Sequence, residues 1–332
     1  MAPIILPANQ PPARPYKGGR QIADFRGNKS HEPNTSEDWV ASTTCCGGCA
    51  GSKLGMTTLP DGRLFADVVA DQPEYWLGME HVKAFGVDTK VLVKLLDAGE
   101  RLFIHAHPHV DWAREHVGAA HGKAEAWLIL TPGVVHLGLK EDISHDDLLQ
   151  IVEEERGAEL LTMMHRLEVQ PFDCVYVAPG TLHATGEGIL LVEVQEPEDL
   201  SVLCEWKGYG VDGAKDGHLG LGFPVALTAV ERKGWSRSEL EGLVTMATAQ
   251  GSVVKQAKRY FDIDRVKVDG VEKCRRGFAV LIVCSGEMNL ELGDGSATSV
   301  AKGNTLVIPY GDGDFLIQGK GEIILVRPPV PQ

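Results

Sequence analysis

His105-Ala-His107-Pro108, Gly122-Lys-Ala-Glu125-Ala-Trp127 and Asp173-Cys-Val-Tyr-Val-Ala-Pro179-Gly-Thr-Leu-His183 decide how this chain is read. Successive side chains alternate faces in an extended segment, so His105 and His107 project the same way, and Pro108 ends their strand. His183 follows a Pro179-Gly180 turn and begins a returning strand, whose apolar pattern resumes at Gly188-Ile-Leu-Leu-Val-Glu193-Val. Three imidazoles and a carboxylate brought by separate strands are the donor set of an open divalent-metal site. Any one of the 12 histidines alone would be read as an ordinary core or surface side chain. Four donors that fall where a strand reading independently places them are a different matter.

Working outward, the 332 residues suffice for two domains of ordinary size, and a hydrophobic content of 43% gives each a core. A formal net charge of -14 works against polyanionic nucleic acid and anionic membrane surfaces, so neither is expected as a partner. No stretch reaches the roughly 18 uninterrupted apolar residues of a membrane span, and the start lacks a basic region followed by an apolar core. The expected location is cytoplasmic. Cys174, Cys204, Cys274 and Cys284 lie in apolar strand-like runs and read as reduced core residues. Cys45-Cys46-Gly-Gly-Cys49 could offer thiolates to zinc, but no second pair completes a tetrahedron, so the expectation is a Gly-rich loop near a barrel mouth.

Residues 1 to about 60 have many Pro and Gly and little periodicity, which predicts a segment wrapping over a barrel. A short helix is expected at Glu74-Tyr-Trp-Leu-Gly, and a buried strand over Thr89–Ala98, ending at Gly99. Ser144-His-Asp-Asp147 opens a helical insert over about 144–166, with Leu148, Leu149 and Val152, then Leu160, Leu161 and Met164, as its core stripe. Near Phe223-Pro224 a Gly-rich stretch gives way to a capping box, Ser236-Arg-Ser-Glu239, which suggests a boundary at residue 225. Beyond it, short strands at 260–268, 278–284, 288–292, 304–309 and 322–326 are separated by Gly and Asp turns, with no histidine among them.

The order H-x-H, carboxylate, P-G-x-x-H is the two-part signature of cupin barrels. The expected fold is therefore mainly β: two cupin-type, jelly-roll barrels, a metal-binding one over 1–225 and a metal-free one over 226–332. Most of the chain also resembles the short bacterial type I mannose-6-phosphate isomerases. The resemblance rests on Lys94-Leu-Leu-Asp-Ala, Gly122-Lys123-Ala-Glu125-Ala-Trp127, Pro179-Gly-Thr-Leu-His183-Ala, Leu191-Val-Glu193-Val-Gln195 with Asp199, Tyr260-Phe-Asp and Val326-Arg-Pro-Pro. It implies one divalent metal, zinc in the family, held at the positions of His105, His107, Glu125 and His183. His105 stands where the family has glutamine. An imidazole there strengthens transition-metal binding and widens the choice to manganese, iron or cobalt. Phe103 and Leu203 stand where the family has a serine and an arginine near the substrate, which removes groups suited to a sugar phosphate.

The resemblance implies aldose-ketose isomerisation through an enediol, which needs an electrophile and a proton carrier. Glu193 matches the family's acidic residue on the strand after the His183 turn and is the candidate carrier. Lys123, two residues before Glu125, projects to the same side of a strand. Trp39 and Trp127 are candidate apolar walls for a sugar, and Lys207 a candidate point charge for a phosphate. His109, His116 and His121 are expected at the rim. Two other readings fit the same donors: a catalytically silent sugar-binding cupin and an Fe(II) cupin oxygenase.

Overall fold

A computed structural model describes residues 3–29, 31–48 and 52–331. Six antiparallel strands form one sheet in the order Val244–Thr245, Cys174–Val177, Glu125–Ile129, Leu190–Gln195, Leu92–Asp97, Glu37–Val40. A second sheet of five runs Val202–Leu203, His105–Ala106, His183–Thr185, Gly133–Leu139, Met164–Val169. The two face each other as a jelly roll. A third sheet, of seven strands, is the carboxyl-terminal cupin unit, built around the long strands Asp262–Cys274, Ala279–Glu291 and Phe315–Arg327.

The period of two along the six-stranded sheet explains why its strands read as continuous apolar runs. Val192 and Val194, Val93 and Leu95, and Ala126 and Leu128 pack outward against Phe261, Ile263, Val280, Ile282, Ile324 and Val326 of the third sheet. Leu191, Leu96, Trp127 and Ile129 pack inward against Val135, Leu137, Leu182 and Ala184. Each fully buried aliphatic side chain stabilises the fold by roughly 1.5–3 kcal/mol. The charged residues on the inward face, among them Glu37, Lys94, Glu125 and Glu193, therefore stand out as costly to bury.

The amino-terminal segment does more than wrap. Ile4–Ile5 pairs with Thr305–Ile308 of the third sheet, and Glu37–Val40 is the edge strand of the six-stranded sheet. Between them Gly18 and Gly19 adopt φ of 152° and 111°, and a Cβ at Gly18 would lie 2.1 Å from the Asp97 carbonyl oxygen, so a side chain is excluded there. The Asp97 carboxylate accepts from the amides of Gly19 and Gln21, fixing the start of helix Arg20–Arg26.

Other sequence expectations meet the structure at their edges. The insert forms two helices, His145–Glu153 behind its Ser144 cap and Gly157–Met163, and Met164 opens a strand instead of extending the stripe. The Ser236–Glu239 capping box is present in both directions on helix Arg237–Glu241. Phe223, Ala226, Leu227, Val230 and Leu240 still pack in the amino-terminal core, and Val244–Thr245 pairs with Cys174–Val175, so the first unit extends past residue 225. The stretches at Phe278 and Met288 are one bent strand, with a register shift between Val283 and Ser285 and Gly286 pressed against Lys320. Cys46, Cys174, Cys204, Cys274 and Cys284 are free thiols; Cys49 lies outside the described residues.

Candidate metal centre

Antiparallel pairing sets His105 directly opposite His183 in the five-stranded sheet. Glu125 enters from the facing sheet, whose strand it opens. His105 Nε2 and His183 Nε2 lie 3.0 Å apart, His107 Nε2 is 3.1 Å from Glu125 Oε2, and His183 Nε2 is 3.3 Å from Glu125 Oε1. All four side chains are buried.

The other nitrogen of each ring is held by a backbone carbonyl. The Nδ1–H groups of His105, His107 and His183 donate to Phe103 O at 3.0 Å, Leu200 O at 3.0 Å and Thr181 O at 2.8 Å. A carbonyl only accepts, so each Nδ1 carries the proton and each Nε2 presents a lone pair to the shared centre. Burial first, then neighbouring positive charge, depresses the pKa of His105 far below its ordinary value and that of His107 to about 3; burial also lowers that of His183. Burial pushes the Glu125 carboxyl the other way, but Lys123 and the histidines hold it well below the usual carboxylate range. The rings are thus neutral and the carboxylate charged at neutral pH.

Two imidazole lone pairs facing each other at 3.0 Å repel unless a cation lies between them. Metal–nitrogen bonds of about 2.0–2.1 Å give donor separations of about 2.9–3.4 Å for right-angle to tetrahedral geometry, which is the spacing found here. The residues fit a single divalent ion. Lys123 Nζ lies 2.7 Å from His107 Nε2 and 2.9 Å from Glu125 Oε2, an ammonium beside the same donors. The indole N–H of Trp127 donates to Glu125 Oε1 at 3.0 Å.

Next to this centre the inward face of the six-stranded sheet carries a chain of buried charges. Lys94 is paired in register with Glu193, and its Nζ lies 3.0 Å from Glu193 Oε1 and 3.6 Å from Glu37 Oε2. Glu37 also accepts from Arg14 Nε at 3.0 Å, from Trp39 Nε1 at 2.7 Å and from the Tyr16 hydroxyl. Despite burial, Arg14 and Lys94 hold Glu37 ionised far below the ordinary carboxylate value. Burial raises Glu193, with Lys94 opposing. Arg14, Tyr16, Lys94, Phe103, Glu193 and Asp199 share one narrow cleft with Lys123, Trp127 and the candidate donors His105, Glu125 and His183.

Among the sequence candidates, Glu193 and Lys123 thus lie in the cleft beside the donors. Trp39 is fully buried beneath Lys94, whose Nζ is 4.7 Å from its ring, so it backs the cleft from outside. Lys207 is exposed and not among the cleft-lining residues. Phe103 lines the cleft, whereas Leu203 is buried in the core. His109 caps helix Val110–Val117, but His121 is no rim residue: it is buried, with its Nε2 2.8 Å from Asp88 Oδ2. Sequence reasoning missed Lys94, Glu37, Arg14 and Tyr16. Lys94 carried a signal, a lone lysine inside the apolar run Val91–Leu96. The other three lie in the segment that showed no periodicity.

The family described as "Mannose-6-phosphate isomerase, cupin domain" matches residues 252–328. Over 319 residues the chain is 26% identical to a mannose-6-phosphate isomerase of Bacillus subtilis (strain 168), covering 93% of this chain and 94% of that one. The crystal structure of the mannose 6-phosphate isomerase from Bacillus subtilis shares the fold, with a TM-score of 0.76 at 22% identity over 98% of this chain and 100% of that one. The apo mannose 6-phosphate isomerase of Salmonella typhimurium does so at 0.75 and 14%, over 99% and 100%.

Proposed function

We propose that the chain is a mannose-6-phosphate isomerase of the family its sequence and fold resemble, and that its cleft interconverts an aldose and a ketose, mannose 6-phosphate or a related hexose, through an enediol. The observation that carries this reading is the convergence of three Nε2 atoms and Glu125 beside a buried lysine–glutamate pair in one cleft. A divalent metal held by His105, His107, Glu125 and His183, zinc by the family resemblance, supplies Lewis acidity toward a carbonyl oxygen.

The remaining work falls to this chain's own groups. Glu193 is the base that takes the proton from one carbon of the sugar and returns it to the next. Its burial raises its affinity for the proton, while Lys94 at 3.0 Å keeps the charged form accessible. Lys94 in turn is held protonated by Glu193 and Glu37 against the cost of burial, and orients the Glu193 carboxylate. Lys123 offers an ammonium to a sugar oxygen on the donor side of the cleft. Phe103 and Trp127 supply apolar surface to the cleft.

Phosphate recognition is where the family resemblance carries least, since Phe103 and Leu203 stand at the positions it would fill with a serine and an arginine. The three cations of the cleft, Arg14, Lys94 and Lys123, are each paired to a carboxylate already. Lys207 is the remaining candidate for a phosphate contact, and as an exposed point charge it would add little in affinity. Metal-loaded protein incubated with mannose 6-phosphate, fructose 6-phosphate, mannose and fructose should convert at least one aldose–ketose pair. Its kcat/KM for phosphorylated and free sugar should differ by less than about a hundredfold, roughly 2.7 kcal/mol. Failure to convert any sugar of the panel rejects the isomerase reading.

A further inference from the structure

A cavity larger than the cleft lies elsewhere in the molecule. A space of about 990 Å³, against about 50 Å³ at the cleft, opens where helix Met79–Phe85 meets the third sheet and the segment after Arg327. Its walls carry five cations, Lys258, Arg259, Arg275, Arg276 and Arg327, and two carboxylates, Glu80 and Asp262. Such an excess of positive charge is unexpected on a chain whose net charge is -14. Lys258 is 3.8 Å from Asp262, but among the described residues no carboxylate lies within 4.0 Å of the guanidinium groups of Arg259, Arg275, Arg276 and Arg327, and Asp314 meets Arg276 only at its backbone amide, at 2.8 Å.

Arg327 is the telling group. It is only 6% exposed, its Nη atoms donate to the carbonyls of Phe278 and Arg275, and its buried Nε has no partner. A buried guanidinium without a counter-charge is costly, and here burial and the neighbouring Arg275 both disfavour its charge, with Asp264 and Asp262 too distant to pair. Gly277 sits against it: a Cβ there would come within 2.5 Å of Nη1. Phe85, Phe278, Tyr310 and Pro329 give the same space an aromatic and apolar wall, with Arg276 lying 5.0 Å over the Tyr310 ring. Guanidinium forks opposite an aromatic wall suit an organic phosphate, in a volume at the upper end of small-molecule sites.

We propose that this cavity is a second binding site, separate from the metal centre, for a phosphorylated small molecule with an aromatic or apolar moiety. The arginine edge takes the phosphate, and the Phe85–Tyr310 side takes the remainder.

The test is calorimetric titration of the full chain with inorganic pyrophosphate and, separately, ADP, in a His105→Ala/His183→Ala background so that phosphate cannot report on the metal centre. Both should bind, ADP more tightly. Arg275→Ala/Arg276→Ala, at exposed positions, should weaken both at least about tenfold while leaving the metal content of the otherwise wild-type chain unchanged. Phe85→Ala should weaken ADP alone. Absence of binding, or binding indifferent to the arginine pair, overturns the site; equal affinity for pyrophosphate and ADP overturns the role of the aromatic wall.

Discussion

Glu193 is the residue on which the proposed chemistry turns. Because burial raises its pKa, the protonated form persists above the usual carboxylate value of about 4.3, and a base must be ionised to work. The kcat profile should therefore fall as pH drops through that raised value. Glu193→Gln should lower kcat by about 10²–10⁴-fold and erase that acid limb, with metal content unaltered. A Gln variant that keeps its rate, or keeps the limb, removes Glu193 from the mechanism. The sequence marked Glu193 through the strand after the His183 turn. It did not mark Lys94 or Glu37, because a buried ion pair is legible only once both strands are in register, and pairing across strands is tertiary information.

At the scale of the element, strand Glu125–Ile129 shows how alternation builds a site. Glu125 and Trp127 share its inward face, and the indole N–H holds one carboxylate oxygen while the other faces His107. Removing that donor with Trp127→Phe should weaken metal binding about 10–100-fold, measured by competition with a chromophoric chelator. Unchanged affinity would reduce Trp127 to core packing. The strands that read clearly in sequence were those with strict alternation or a Pro-Gly turn, including both that carry His183 and Glu193. The amino-terminal strand Glu37–Val40 was missed because all four of its residues, Glu-Asp-Trp-Val, are buried, and acidic side chains break the apolar pattern when each has a cationic or backbone partner instead of solvent. The bent strand Ala279–Glu291 was read as two because Gly286 punctuates it; glycine there marks close contact with Lys320, not a turn.

For the whole molecule, the buried histidines couple stability to pH. Each has a folded pKa depressed below its unfolded value of about 6.5, so below that pH the unfolded chain binds protons that the native chain refuses. Their contribution is complete above about pH 6.5 and is lost as pH falls, by up to about 4 kcal/mol per pH unit for three groups together. Glu193, Glu196, Glu198 and Asp264, raised by burial, act in the opposite sense, so the histidines are isolated by difference. The metal-free wild-type chain, compared with His105→Asn/His107→Asn/His183→Asn by urea denaturation, should lose stability relative to the variant between pH 6.5 and 5. A constant difference across that range would mean that the three rings take up protons equally in the native and unfolded chains. Strand periodicity and turn chemistry suggested two units with a seam at residue 225. Ala226, Leu227, Val230 and Leu240 pack with, and residues 244–245 pair with, strands before that seam, and residues 4–5 pair with a strand beyond it, contacts that no local pattern foretells.

The claim beneath all of this is that three imidazoles and one carboxylate hold one ion. X-ray absorption at the zinc edge of the zinc-loaded protein reads that directly. We expect about one zinc per chain with only nitrogen and oxygen neighbours, at about 2.0–2.2 Å, and outer-shell scattering from three imidazoles. A sulfur shell at about 2.3 Å, which would point to Cys45 and Cys46, or fewer than three imidazoles, would contradict the account.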